Sequence, residues 1–178
     1  TNTNWQDIFL RTGTTESHDV NITTGNETST SYTSIGYFSQ EGTTQSSDLK
    51  RYTFRNNLTT NFSDKLKLST NLTINFSESN FASNEGSGRL DNPFINPYIA
   101  LPFIDAYNDD GSLNLKGTAY STGNFGNNSG FLYTPFITLS TNALDRRFSD
   151  RLRAIGGANI SYQVTDDINV GGSFGMDY

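Results

Sequence analysis

The 178-residue chain is 33% hydrophobic and 17% charged, with 13% aromatics, 16 glycines and a net charge of −6. An average soluble domain is about 45–50% apolar with glycine counted, so a chain with a mean hydropathy of −0.54 struggles to fill one central core. Leu, Ile, Val and Phe nonetheless stay above the roughly 20% level that marks disorder. The absence of cysteine excludes a disulfide scaffold, a thiol nucleophile and a Cys-ligated metal. A pI near 4.6 disfavours nucleic acid, which wants clustered Lys and Arg on a basic surface. No run reaches the ~18 apolar residues of a membrane helix, and Thr1 to Trp5 has neither the basic start nor the apolar stretch of a signal peptide.

Taken in chain order, the segments alternate with period two. Val20, Ile22 and Thr24 alternate with Asp19, Asn21 and Thr23, and Gly25-Asn26-Glu27 turns into a strand over Ser29 to Ser39 that carries Tyr32, Ile35, Tyr37 and Phe38. From Arg51 to Phe62, one face reads Tyr52, Phe54, Asn56, Leu58, Thr60, Phe62. The other reads Arg51, Thr53, Arg55, Asn57, Thr59, Asn61. After a tight turn at Ser63-Asp64, Leu66, Leu68, Thr70, Leu72, Ile74 and Phe76 alternate with Lys65, Lys67, Ser69, Asn71, Thr73 and Asn75. Farther on, Phe148, Leu152, Ala154, Ala158, Ile160, Tyr162 and Val164 share a face opposite Arg151, Arg153, Asn159, Ser161 and Gln163. A turn at Thr165-Asp166 leads to Ile168, Val170, Phe174, Met176 and Tyr178 on one side of a last strand. Such alternation is the strand signature. The expectation is six antiparallel strands and no helix.

The connections run short, medium, short, long, short, so the short turns share one end of the sheet and the long loops the other. A soluble sheet with one wet face is the ordinary reading of such strands. Long strands, a polar face of Asn, Ser, Thr, Arg and Lys, and this loop asymmetry favour an outer-membrane barrel instead. The expected class is therefore all-β, an antiparallel transmembrane β-barrel segment. Aromatics near strand ends, among them Tyr52, Phe62, Phe76, Phe148, Tyr162 and Tyr178, suit interfacial girdles. With short turns periplasmic, residues 1–17 form an extracellular loop, 18–78 four strands, 79–146 a long extracellular loop and 147–178 two strands. About eight strands is the minimum for closure, so the chain reads as part of a larger barrel.

The residues also resemble a known family. Trp5-Gln6-Asp7-Ile8-Phe9, Arg11-Thr12-Gly13, Ser34 to Gly42, Ser47 to Tyr52, Phe62 to Leu68 and Asn108 to Ser112 occur in the order and spacing of SusC/RagA-type TonB-dependent transporters of Bacteroidetes. The resemblance implies a barrel of about 22 strands, of which this chain supplies roughly the second to seventh. It implies a plug domain, absent from these residues, through which TonB acts. It further implies an outer-membrane location, a SusD-like surface lipoprotein as partner, and oligosaccharides or peptides as cargo. The rival readings are a soluble surface adhesin or carbohydrate-binding β-domain, and a non-transporting barrel.

No catalytic constellation, metal set or cofactor motif is present, so no enzyme is expected. His18, the single histidine, reads as an incidental surface residue. Asp105 to Gly111 superficially matches a calcium loop, but Ala106 stands where the first Asp belongs; Asp109-Asp110-Gly111 reads better as a turn. The sequons at Asn21, Asn57, Asn71 and Asn75 follow from an Asn/Ser/Thr-rich composition. The Pro- and aromatic-rich stretch over 90–107 is the better candidate. Phe94, Tyr98, Phe103 and Tyr107 are the expected contacts for the cap lipoprotein or a ligand. Arg51, Arg55, Lys65, Lys67, Arg151 and Arg153 are expected to pair with plug carboxylates or face water.

Overall fold

The computed structural model describes residues 2–45, 47–82, 92–114, 138–139 and 146–178. It contains α1 (Trp5–Phe9), β1 (Thr15–Gly25), β2 (Ser29–Glu41), β3 (Asp48–Ser63), β4 (Leu66–Ala82), α2 (Asn96–Ile99), β5 (Arg146–Gln163) and β6 (Asn169–Asp177). The six strands form one sheet in the order β1-β2-β3-β4-β5-β6. Each strand is hydrogen-bonded to its neighbour in sequence, and the sheet is open, with β1 and β6 at its edges. The fold is all-β and antiparallel, as the alternation requires. Helices α1 and α2, of five and four residues, are an addition to the expectation; they are too short to leave a 3.6-residue period.

Side chains set the turns. Asn26 Oδ1 accepts from the Thr28 and Ser29 amides at 3.0 and 2.7 Å, the local bond that suits Asn to turns. The β3–β4 turn sits at Asp64-Lys65, one residue later than expected. Ser63 Oγ accepts from the Lys65 and Leu66 amides at 3.3 and 3.2 Å, so Ser63 remains in the strand. The β5–β6 turn is wider than expected, with the Val164 amide bonded to the Ile168 carbonyl at 2.9 Å.

The chain divides into two compact units, each with its own internal packing. The sheet unit comprises Thr15–Gln40, Leu49–Ser79 and Ser149–Tyr178. The loop unit comprises Thr1–Thr14, Glu41–Asp48 and Asn80–Phe148.

In the sheet unit the two faces differ in chemistry. The β1–β2 register pairs Val20 with Ile35 and Ile22 with Thr33 on the apolar face, and Asn21 with Ser34 on the polar face. On the apolar face an aromatic row crosses four strands. His18 stacks on Tyr37 (centroids 6.3 Å), Tyr37 meets Tyr52 (5.3 Å), and Tyr52 meets Phe76 (6.3 Å). His18, expected as a surface residue, is exposed and supplies the first ring of this row. The few polar groups on this face bond one another across strands: Asn56 Nδ2 to Thr33 Oγ1 at 2.9 Å, and Ser29 Oγ to Thr60 Oγ1 at 3.2 Å. The polar face carries its own cross-strand bonds, from Tyr32 to Asn21 (2.9 Å), Thr53 to Asn75 (3.0 Å) and Ser161 to Asn169 (2.8 Å).

Neither face forms a protein core. Among the described residues the buried hydrophobic side chains are Trp5, Phe9, Ile104 and Ala106, all in the loop unit. Ile35 is 60% exposed and Phe174 69% exposed. Full burial of such a side chain is worth about 1.5–3 kcal/mol, and this sheet leaves that stabilisation to whatever meets its apolar face.

Candidate functional site: the loop unit

The loop unit is built around α1. Asn4 caps the helix, its Oδ1 accepting from the Gln6 amide at 3.2 Å. Trp5 and Phe9, four residues apart, fall on one helical face and stack at 6.2 Å with 19° between ring planes. They form a small core with Ile104 and Ala106, against which Ile8, Leu10, Ala100 and Leu139 pack.

Hydrogen bonds tie the 92–114 segment to this core. Trp5 Nε1 donates to the Leu101 carbonyl at 3.0 Å. The Thr3 amide donates to the Pro102 carbonyl at 2.7 Å, and Thr3 Oγ1 to Asp105 Oδ1 at 3.1 Å. Asn92 Oδ1 accepts from the Phe94 amide at 2.8 Å, and a proline at the start of α2 supplies the fixed φ that suits a first turn. Asn96 is fully buried and its amide donates to Thr138 Oγ1. Asn114 returns the chain to Asp105 and Ala106 with bonds of 2.9 and 3.0 Å to their carbonyls.

Arg11 holds the 41–48 loop. Its Nε donates to the Gly42 carbonyl at 3.1 Å and its guanidinium to the Ser47 carbonyl at 3.0 Å. Gly13 passes so close to this loop that a Cβ there would lie 2.3 Å from the Glu41 carbonyl oxygen. Gly13→Ala is therefore expected to cost about 1–3 kcal/mol locally, the usual range for overpacking. Amide exchange at Arg11 and Glu41, whose N–H groups bond the Thr43 and Thr14 carbonyls, should accelerate at least tenfold in the full-length protein. Unchanged protection would mean that the chain relaxes around the methyl group.

The expected contact residues lie together in one segment of this unit. Phe94 precedes α2, Tyr98 is in it, Phe103 follows it, and Tyr107 bridges to Leu113. All are exposed, Tyr98 at 79%. Ile99 and Leu101 are exposed beside them; the sequence signal for these two was apolar residues inside a Pro- and Asn-rich loop. The acidic turn is structural. Gly111 takes φ +80°, and Asp110 accepts from the Ser112 hydroxyl and amide at 2.6 and 2.9 Å. Those bonds, the hydroxyl first, hold its carboxyl below the ordinary carboxylate range. Among the described residues no cluster of three or more acidic, His or Cys side chains could hold a metal.

The cations of the polar face stand in the sheet unit. Arg153 pairs with Asp177 through two bonds of 3.0 and 2.6 Å, so a carboxylate of this chain already takes it. Arg51 lies over the Phe38 ring at 5.0 Å.

No family model matches the chain. It is 36% identical over 113 residues to TonB-dependent receptor P26 of Formosa agariphila, covering 64% of this chain and 11% of that protein. It is 27% identical over 179 aligned positions to TonB-dependent receptor P3 of the same organism, covering 98% of this chain and 16% of that protein. The chain resembles part of a SusC/RagA-type TonB-dependent receptor. Its fold agrees: the structure of the RagAB peptide transporter superposes with a TM-score of 0.71 at 19% identity, over 99% of this chain and 19% of that one. The same transporter in its closed-closed state gives 0.70. The chain therefore spans between a tenth and a fifth of the proteins that it resembles.

Proposed function

We propose that the chain is a stretch of the barrel wall and external loops of an outer-membrane importer driven through TonB. The carrying observation is the exposed apolar face and its two aromatic limits. Tyr52 belongs to the aromatic row, and Phe62, ten positions along β3, is 64% exposed on the same face. At about 3.3 Å per residue and a tilt near 40°, that interval is roughly 25 Å high, the height of the apolar band of such barrels. Lipid then covers what the protein leaves bare. The unpaired edges of β1 and β6 call for further strands of the same barrel, because open edges are not tolerated in lipid.

On this reading the short turns are periplasmic, and residues 1–17 and 79–146 are extracellular. TonB acts through a plug carried elsewhere in the full-length protein. The exposed Phe94, Tyr98, Phe103 and Tyr107 serve as contacts for a SusD-like lipoprotein or for cargo, an oligosaccharide or a peptide. The similarity to TonB-dependent receptors and to the RagAB peptide transporter supports this role. Spin labels at Leu58, Leu72 and Ile160 in the full-length protein should report lipid contact, with strong relaxation by oxygen and weak relaxation by a polar nickel chelate. Labels sequestered from both reagents would place those side chains in a protein core and end the barrel reading.

A further inference from the structure

The apolar face of the sheet unit is not equally tall on every strand. On β4 it reads Leu66, Leu68, Thr70, Leu72, Ile74 and Phe76, with one hydroxyl in ten positions. On β2 the same face reads Ser29, Ser31, Thr33, Ile35, Tyr37 and Ser39, so its apolar part is two residues long. On β1, Val20 and Ile22 stand between Thr24 on the turn side and His18 on the loop side, with Glu16 beyond. The register joins these limits: Ile22 faces Thr33, Thr24 faces Ser31 and Glu16 faces Ser39. Glu16 and His18 approach to 4.0 Å, and both are exposed.

At about 3.3 Å per residue and a tilt near 40°, the run from Leu66 to Phe76 is roughly 25 Å high. The six positions from His18 to Thr24 give roughly 15 Å on the same terms. The polar residues on the turn side of the first hairpin carry no charge. They are also bonded within the sheet, Thr33 to Asn56 at 2.9 Å and Ser29 to Thr60 at 3.2 Å. A protein partner docked in lipid draws on hydrogen-bonding groups of the wall that it meets, and here those groups already hold one another. The short apolar stretch is continuous across the sheet with the tall one on β4, so the same solvent covers both.

We propose that the lipid bilayer is locally thinned beside the β1–β2 hairpin. The ester and headgroup layers close in on this hairpin, to His18 on the loop side and to Ser31 on the turn side. Beside β4 the bilayer keeps its full height. Thinning is the ordinary response of a bilayer to a short apolar stretch, because mismatch costs free energy with every ångström. The inference rests on the barrel-wall reading and adds the membrane profile that the wall imposes on one of its sides.

The test places single spin labels at Ser31 and Leu68 of the full-length protein in phosphatidylcholine liposomes. Each position lies three residues beyond its own short turn, counted from Thr28 and Lys65, so a bilayer of even height treats the two alike. Thinning should make the ratio of nickel-chelate to oxygen relaxation about threefold or more higher at Ser31 than at Leu68. Equal ratios would overturn the proposal, because acyl chains would then cover both positions. A Ser31 label shielded from both reagents would also overturn it, because protein would then cover the hairpin. Lipid-reporting labels at Leu58, Leu72 and Ile160 alongside either failure would leave the barrel reading standing and remove only the thinning. Labels sequestered at those three positions would remove both.

Discussion

Replacing Trp5 with alanine in the full-length protein is expected to cost about 3–5 kcal/mol within the loop unit, the usual range for a buried aromatic truncated to a methyl group. Trp5 is 3% exposed and stacks on Phe9. It also donates the bond that secures Leu101. Losing it opens a core that, among the described residues, has only Phe9, Ile104 and Ala106 as its other buried apolar side chains. The expected signature is local: protease cleavage within 92–114 should speed up by two orders of magnitude or more, while the heat-modifiable mobility of the folded barrel is retained. Trp5→Phe keeps most of the packing and removes the indole bond, so it should cost nearer the ~1 kcal/mol of one hydrogen bond. Equal cleavage rates for wild type and Trp5→Ala would show that the core around α1 does not hold the segment.

The second large effect is on the apolar face. Leu72 lies in β4 between Leu66 and Phe76, near the middle of the proposed band. Leu72→Arg should destabilise the full-length protein by about 2–4 kcal/mol in liposomes, the cost of a basic side chain at the bilayer midplane. Thr73→Glu, one residue away, puts a charge on the opposite face and should stay within about 0.5 kcal/mol of wild type. Urea titration of both variants in vesicles measures the contrast. Comparable losses for the two would mean that the faces do not differ in solvent, and the assignment of lipid to one of them would fall.

The sheet was legible because period two repeats through every strand. Leu66 to Phe76 and Phe148 to Tyr162 lie in strands as the alternation reads them, whereas Val164 falls in the β5–β6 turn; a one-residue slip would exchange the faces of a strand. The β3–β4 turn was placed one residue early because the alternation ends at Ser63 whether its hydroxyl caps the turn or begins it; the bonds to Lys65 and Leu66 decide that. The loop unit was hardly legible. Trp5 to Phe9 stood out as a motif, but a five-residue helix leaves no period, and its partners lie far along the chain. Burial of Asn96 and the close pass of Gly13 over Glu41 are tertiary facts with no local signature. The pairing of Arg153 with Asp177 needs the register of two strands, which alternation alone does not fix. The four aromatics picked from the long loop are exposed, and exposure is what a contact residue requires.

The strand order has a consequence for assembly. Every sheet contact joins neighbours in sequence, so each hairpin can close as soon as its second strand is available, the low-contact-order route that folds fast. The bond from Trp5 to Leu101 instead spans 96 residues. In a chain that emerges N-terminus first, Trp5 and Phe9 precede β1, but the segment that buries them follows β4. Doubling the length of a closed loop adds only about 0.6 kcal/mol, so the distance weakens the finished unit little. It governs timing. Four strands can pair while α1 still waits for its core, and α1 takes shape together with the 92–114 segment that buries it.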